Sequence, residues 1–158
     1  AAWPLAIMMV LASVASPLHR VSTTRSKEIE LRQHLRVMRA AIDAFKTEWN
    51  REGDTLLGAL CVKNRLSCRD VAGPHGYPKS LETLLAVQLT GQEASLKGIK
   101  VRRYLRGIPV DPVTGKPTWR LRCYQDPPTA DDWCGTDVYD VSTLSEGLAL
   151  DGTPYRQW

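Results

Sequence analysis

Apolar and polar positions divide the chain into regions of different character. The first eighteen positions, AAWPLAIMMVLASVASPL, carry no charge. After Pro17 the pattern becomes amphipathic. Leu31, Leu35, Met38, Ile42, Phe45 and Trp49 recur at spacings of 4, 3, 4, 3 and 4, the repeat of one helical face. Glu28, Glu30, Arg32, Arg36, Arg39, Asp43, Lys46 and Glu48 lie between them and form the wet faces. Asn50-Arg51-Glu52-Gly53 supplies a stop, with Gly53 suited to a left-handed cap. The pattern predicts one helix from about residue 2 to about residue 50, bent at Pro17 and about 70 Å long. A helix of that length cannot bury itself in a head made from the remaining chain, so its apolar first third is expected to protrude. The uncharged run spans about 27 Å as a helix, near the lower limit for crossing a membrane. With Ser13-Val14-Ala15 as a small-residue cleavage site, the same run also fits the apolar core of a signal peptide.

Beyond the helix the signals are shorter. A loop with two cysteines is expected from Gly53 to Gly76. A second helix is predicted from Ser80 to about Leu89, with Ser80 as N-cap and Leu81, Leu84, Leu85 and Leu89 as its apolar side. Residues Thr90 to Arg103 are polar and basic and carry no clear period. Pro109 to Pro117 is dense in turn formers. Trp119–Gln125 and Thr136–Ser142 read as strands, rich in β-branched and aromatic residues. Pro127-Pro128 excludes the Asp126–Gly135 linker from a strand interior, and Ser145–Trp158 reads as an irregular tail. The expected fold class is α+β. Residues 1–26 form an apolar protruding helix, and residues 27–158 form an αβ head that includes the amphipathic half of the helix.

Composition narrows the class. With 158 residues, 43% of them hydrophobic and 24% charged, the chain is neither disordered nor a polytopic membrane protein, and it can build one modest core. The net charge of +4 conceals an asymmetry. Residues 1–123 hold 20 Lys and Arg against 10 Asp and Glu, whereas residues 124–158 oppose one Arg to seven acids. A nucleic-acid binder concentrates basic charge without such a counterweight, so no nucleic acid is expected. A subunit lying beside copies of itself can use both ends of the dipole. Lys97, Lys100, Arg102, Arg103 and Arg106 read as a solvated basic loop or a contact for the acidic tail of a neighbour, with phosphate or anionic lipid as further readings.

Four cysteines stand at positions 61, 68, 123 and 134. Their spacing fits no zinc pattern, and His19, His34 and His75 lie far off in sequence. An even count beside an apolar segment points to disulfides outside the cytoplasm. Three pairings are open, and the local ones, Cys61–Cys68 and Cys123–Cys134, are favoured. No nucleophile elbow, zinc-protease, phosphate-loop or dinucleotide pattern occurs, so no enzymatic activity is expected. Asp137, Asp140 and Asp151, with Glu146 and the intervening Gly147 and Gly152, form an acidic segment compatible with Ca²⁺.

Several segments in order resemble one family. Gly76-Tyr77-Pro78-Lys79-Ser80-Leu81-Glu82-Thr83-Leu84, then Tyr104-Leu105-Arg106-Gly107-Ile108-Pro109-Val110-Asp111-Pro112-Val113-Thr114-Gly115, look like two conserved segments of type II secretion pseudopilins of the major, G-type kind. Asp137-Val138-Tyr139-Asp140-Val141, Ser145-Glu146-Gly147 and Ala149-Leu150-Asp151-Gly152-Thr153-Pro154-Tyr155 resemble the ending of such proteins, within the type IV pilin superfamily. The helix stretch Leu31–Phe45 is similar too. The resemblance implies a pilin-like fold and assembly into a helical filament for protein secretion or surface fibre extension. Trp3, Leu5, Ile7, Met8, Val10, Leu11 and Val14 would form the axial bundle, with Pro17 as the helix-bending proline. It implies as partners copies of the chain, other pseudopilins and an inner-membrane assembly platform. The location would be the inner membrane first, then a periplasmic or extracellular filament. A minor or tip pilin, or a membrane-tethered periplasmic binding module, is the alternative. Major pseudopilins often hold calcium in the C-terminal loop, which implies the same for Asp137, Asp140 and Asp151. Two departures stand out: Leu5 occupies the place of the family's glutamate, and the Ala86–Arg103 stretch is longer than the family's. Aligning Pro17 with the family's proline also implies a few residues before Ala1.

Overall fold

The computed structural model describes residues 3–51 and 58–158, with the side chains of 3–7, 10–12, 14–16 and 93 outside the description. Helix α1 runs from Trp3–Trp49. At about 1.5 Å per residue it is about 70 Å long. Pro17 lies inside it rather than ending it. The Gly53 stop falls outside the described residues.

The stripe Leu31, Leu35, Met38, Ile42, Phe45 and Trp49 is 0–2% exposed and forms the spine of the core. Leu84, Val87, Val138, Val141 and Tyr155 close on it from the rest of the chain. Each such side chain contributes about 1.5–3 kcal/mol by leaving water, so this half of α1 and the head stabilise one another.

The cysteine-bearing segment is helical where a loop was expected. It contains α2 (Ala59–Lys63) and α3 (Arg65–Val71), joined by Cys61–Cys68. The break between them is Asn64, which is buried. Its amide Nδ2 donates to the Leu60 carbonyl at 3.0 Å, and its Oδ1 accepts from the Thr90 and Gly91 N–H groups at 2.8 and 2.6 Å. One side chain thus ends a helix and anchors the chain that follows.

The predicted Ser80–Leu89 helix is cut short. Ser80 Oγ accepts the Thr83 N–H at 3.3 Å, but the residue at the N-cap is Leu81 and only a 3₁₀ turn follows at Glu82–Leu84. The Leu84 carbonyl, which a continuing helix would satisfy locally, instead accepts the N–H groups of Tyr104 and Leu105 at 2.8 and 3.0 Å. Buried, β-branched Val87 then begins β1 (Val87–Gln88), antiparallel to β2 (Val101–Arg102). Between these strands lies α4 (Gln92–Lys97), in the segment that lacked a sequence period.

A second antiparallel ribbon pairs β3 (Arg120–Arg122) with β4 (Asp140–Ser142), with Leu121 opposite Val141. Both strands are shorter than their sequence signals. After Arg122, side-chain carboxylates replace the ladder: the Cys123 N–H donates to Asp126 and the Tyr124 N–H to Asp137. Val138 leaves the ribbon to donate to the Pro78 carbonyl at 2.7 Å. The intervening linker is closed by Cys123–Cys134. A last 3₁₀ turn, Tyr155–Gln157, lies within the tail. The architecture is α+β: a long N-terminal helix, and a head of short helices with two small antiparallel ribbons rather than one sheet.

Candidate functional site

The outstanding feature is the part of α1 that precedes the head. Met8 and Met9 are 70% and 75% exposed, and Leu18, Val21 and Ile29 are 65%, 44% and 64% exposed. Among the designated axial residues, Met8 and Pro17 are exposed. The side chains of Trp3, Leu5, Ile7, Val10, Leu11 and Val14 lie outside the described residues. Leu18, Val21, Arg25 and Ile29 follow one another at steps of three and four, so they share a face. At about 100° per residue that face lies away from the one carrying Leu31, Leu35 and Met38. One helix therefore carries a core face filled by its own head and, on another side, exposed Leu18, Val21 and Ile29 interrupted by Arg25. His19, Arg20, Arg25 and Lys27 are exposed on the same segment. Among the described residues, no helix is long and apolar enough to cross a membrane.

The head grips α1 through a series of polar latches. Nearest the projecting part, Glu28 Oε1 accepts the Leu150 N–H at 2.8 Å and the Tyr155 hydroxyl at 2.9 Å. Burial, and then the adjacent Glu28 carboxylate, push the Tyr155 hydroxyl up to about 12. Further along, Arg32 stacks on Trp158 at 3.9 Å, and Arg39 donates to Asp140 at 2.7 Å and to the Trp158 carbonyl at 2.6 Å. At the far end Glu48 accepts both Arg102 nitrogens at 3.1 Å and a short bond from the Tyr104 hydroxyl. The Trp49 indole donates to the same hydroxyl at 2.8 Å. Burial, reinforced by Glu48, raises the Tyr104 hydroxyl well above its ordinary value.

The segments that carry the family resemblance supply much of this grip. Leu81, Leu84 and Leu105 are core residues. Asp111 is fully buried within the Asp111-Pro112-Val113-Thr114-Gly115 turn. Its Oδ1 accepts the Val113 N–H at 2.8 Å, and its Oδ2 takes a short bond from the Thr143 hydroxyl. Gly115 closes that turn at φ +72°, and its N–H donates to the Asp111 carbonyl at 2.7 Å. His34 Nδ1 lies 2.9 Å from the Val110 carbonyl and ties the turn to α1.

The calcium candidates are not gathered. Asp137 is buried against Gly73, and burial raises its carboxyl. Asp140 bridges Arg39 and Arg122 at 2.7 and 2.8 Å. Asp151 holds the Thr153 N–H and hydroxyl at 2.9 and 2.6 Å. Three carboxylates committed to separate partners do not form the oxygen cage that Ca²⁺ needs. Among the described residues, the one group of ligand atoms close enough to share an ion is Cys123, Asp126 and Cys134, whose sulfurs are joined to each other. The basic set also divides: Arg102 pairs with Glu48 and Arg103 donates to the Leu85 carbonyl at 3.0 Å, while Lys97, Lys100 and Arg106 stay exposed.

Sequence reasoning did not find the arginine cluster around the β3–β4 ribbon. Arg39, Arg120, Arg122 and Arg156 line one cavity of about 770 Å³ there. The alternation Arg120-Leu121-Arg122 was the available signal, since it puts both arginines on one face of a strand. No family model, curated protein or solved structure matches the chain.

Proposed function

We propose that the protein is a non-enzymatic structural subunit of a helical filament of the pseudopilus or type IV pilus kind, assembled by packing its N-terminal helices together. The observation that carries this reading is the set of exposed apolar residues of α1 from Met8 to Ile29, on a helix whose other half is the spine of a disulfide-bonded head. Exposed apolar residues aligned on one helical face call for a partner. An identical helix is the partner of matching shape. Support also comes from the wrapping segments that resemble those of pseudopilins, each of which closes the head on α1 and leaves the projecting part uncovered. In this reading the same segment rests in the inner membrane before assembly, and the head with its disulfides faces an oxidising compartment. The work is mechanical: added subunits extend a fibre.

Met8→Asp and Val21→Asp test this reading in cells that express the chain. Electron microscopy should show fibres with the natural chain and none with either variant, while circular dichroism of the head is unchanged. Fibres persisting in both variants would contradict the role assigned to the arm.

A further inference from the structure

We propose that the arginine-lined cavity beside the β3–β4 ribbon binds an organic anion carrying two or more carboxylates. The cavity, about 770 Å³, lies among α1, both strands, the Pro128–Asp131 stretch of the disulfide-closed linker and Arg156 to Trp158. That volume falls in the range of small-molecule sites and exceeds what a bare ion fills.

Its guanidinium groups form two pairs, each bridged by one carboxylate. Asp140 receives Arg39 at 2.7 Å through Oδ1 and Arg122 at 2.8 Å through Oδ2. Glu146 receives Arg120 at 2.8 Å through Oε1 and Arg156 at 3.5 Å through Oε2. Asp131 takes a further bond from Arg156 at 2.6 Å, and that bond holds its carboxyl below the ordinary range. Four guanidinium groups thus meet three side-chain carboxylates, in a part of the chain that is otherwise acidic. Arg122 Nε is buried with no hydrogen-bond partner. Each guanidinium offers five N–H donors in a planar fork that suits carboxylates.

The protein's own carboxylates show what the forks accept. The side chains of Asp131 and Glu146 are 75% and 67% exposed. Ion pairs that open to water contribute little, so an incoming polycarboxylate displaces them at small cost and spans both pairs. Trp158 and Pro128 add apolar walls, and Thr129, Ser142 and Gln157 add neutral hydrogen-bonding groups, which suits an organic ligand over an inorganic ion. The carboxylates belong either to a free small acid or to neighbouring acidic side chains of a peptide.

Calorimetric titration of the full chain in non-ionic detergent, at low ionic strength, separates the outcomes. Citrate stands for the free acid, a capped tetra-glutamate for the peptide, and acetate for a single carboxylate. At least one polycarboxylate should bind about tenfold or more tighter than acetate, with affinity falling as salt rises. Which one binds identifies the source. Arg122→Gln should weaken that binding about fivefold or more, and Lys100→Gln should leave it unchanged. Thr129→Trp, at an exposed lining residue that makes none of the ion pairs itself, should crowd the cavity and weaken it as well, and it decides the matter if Arg122→Gln fails to fold. The proposal is overturned if neither polycarboxylate binds more tightly than acetate, or if Thr129→Trp binds as the natural chain does.

Discussion

The two halves of α1 are built from the same materials and end in opposite environments. From Leu31 onward the stripe Leu31, Leu35, Met38, Ile42, Phe45 and Trp49 is 0–2% exposed, with Val37 alone of the large apolar side chains left open; from Met8 to Ile29 the described large ones are 44–75% exposed. Ile29 and Leu31 are two residues apart and fall on opposite sides of this division. Helical periodicity sets which residues share a face, but not whether anything comes to cover that face. For the second half, the cover is encoded in the same chain by leucines, valines and tyrosines that arrive from residues 81 to 155. For the first half the described residues supply none, and the proposed filament would supply it from neighbouring copies. On the proposed reading, stability resides in one half and assembly in the other.

Substitutions at increasing distance from the core break or sharpen this contrast. Phe45→Ala removes a fully buried ring that packs against Trp49 and Tyr104, and should cost about 3–5 kcal/mol, read as loss of the cooperative thermal transition. Cys61→Ala with Cys68→Ala should cost less, about 2–3 kcal/mol, seen as a lower midpoint in denaturant. At the junction, Tyr155→Phe gives up the hydroxyl that Glu28 receives and should cost about 1 kcal/mol. Because the Tyr155 hydroxyl is raised in the folded state, its stabilising contribution is complete below the ordinary tyrosine value of 10.0. It is lost as the pH climbs from there towards about 12. An alkaline titration of stability should show that loss in the natural chain and a smaller one in Tyr155→Phe. Leu18→Asp is the smallest case: head stability should move by under about 0.5 kcal/mol. A large loss there would mean that the arm folds against the head after all.

The legible part of the fold was the part governed by local rules. Spacings of three and four mark the core face of α1, and Ser80 marks the approach to a helical turn whose N-cap is Leu81. β-branched and aromatic runs locate the β3–β4 ribbon but overshoot three of its four strand ends, since Asp126 and Asp137 take over the backbone donors of Cys123 and Tyr124 and Val138 turns to Pro78. Long-range competition was invisible. Nothing near Leu84 shows that its carbonyl will be claimed by Tyr104 and Leu105, and so the second helix was drawn too long. The acidic segment suggests a cation by composition and by the resemblance, whereas the fold engages Asp140 with Arg39, which is 101 residues away. The arginine cavity is hidden for the same reason, since Arg39, Arg122 and Arg156 meet only once the head has closed.

The central claim is that copies of the chain cover the open face of the arm, and sedimentation analysis on removing detergent tests it most directly. The 158-residue chain should be compared with one beginning at Lys27, which keeps Glu28 and the whole core stripe. The account predicts that the longer chain sediments as large assemblies and the shorter one as a monomer of equal thermal midpoint. Monomers from both, with the same midpoint, would contradict it.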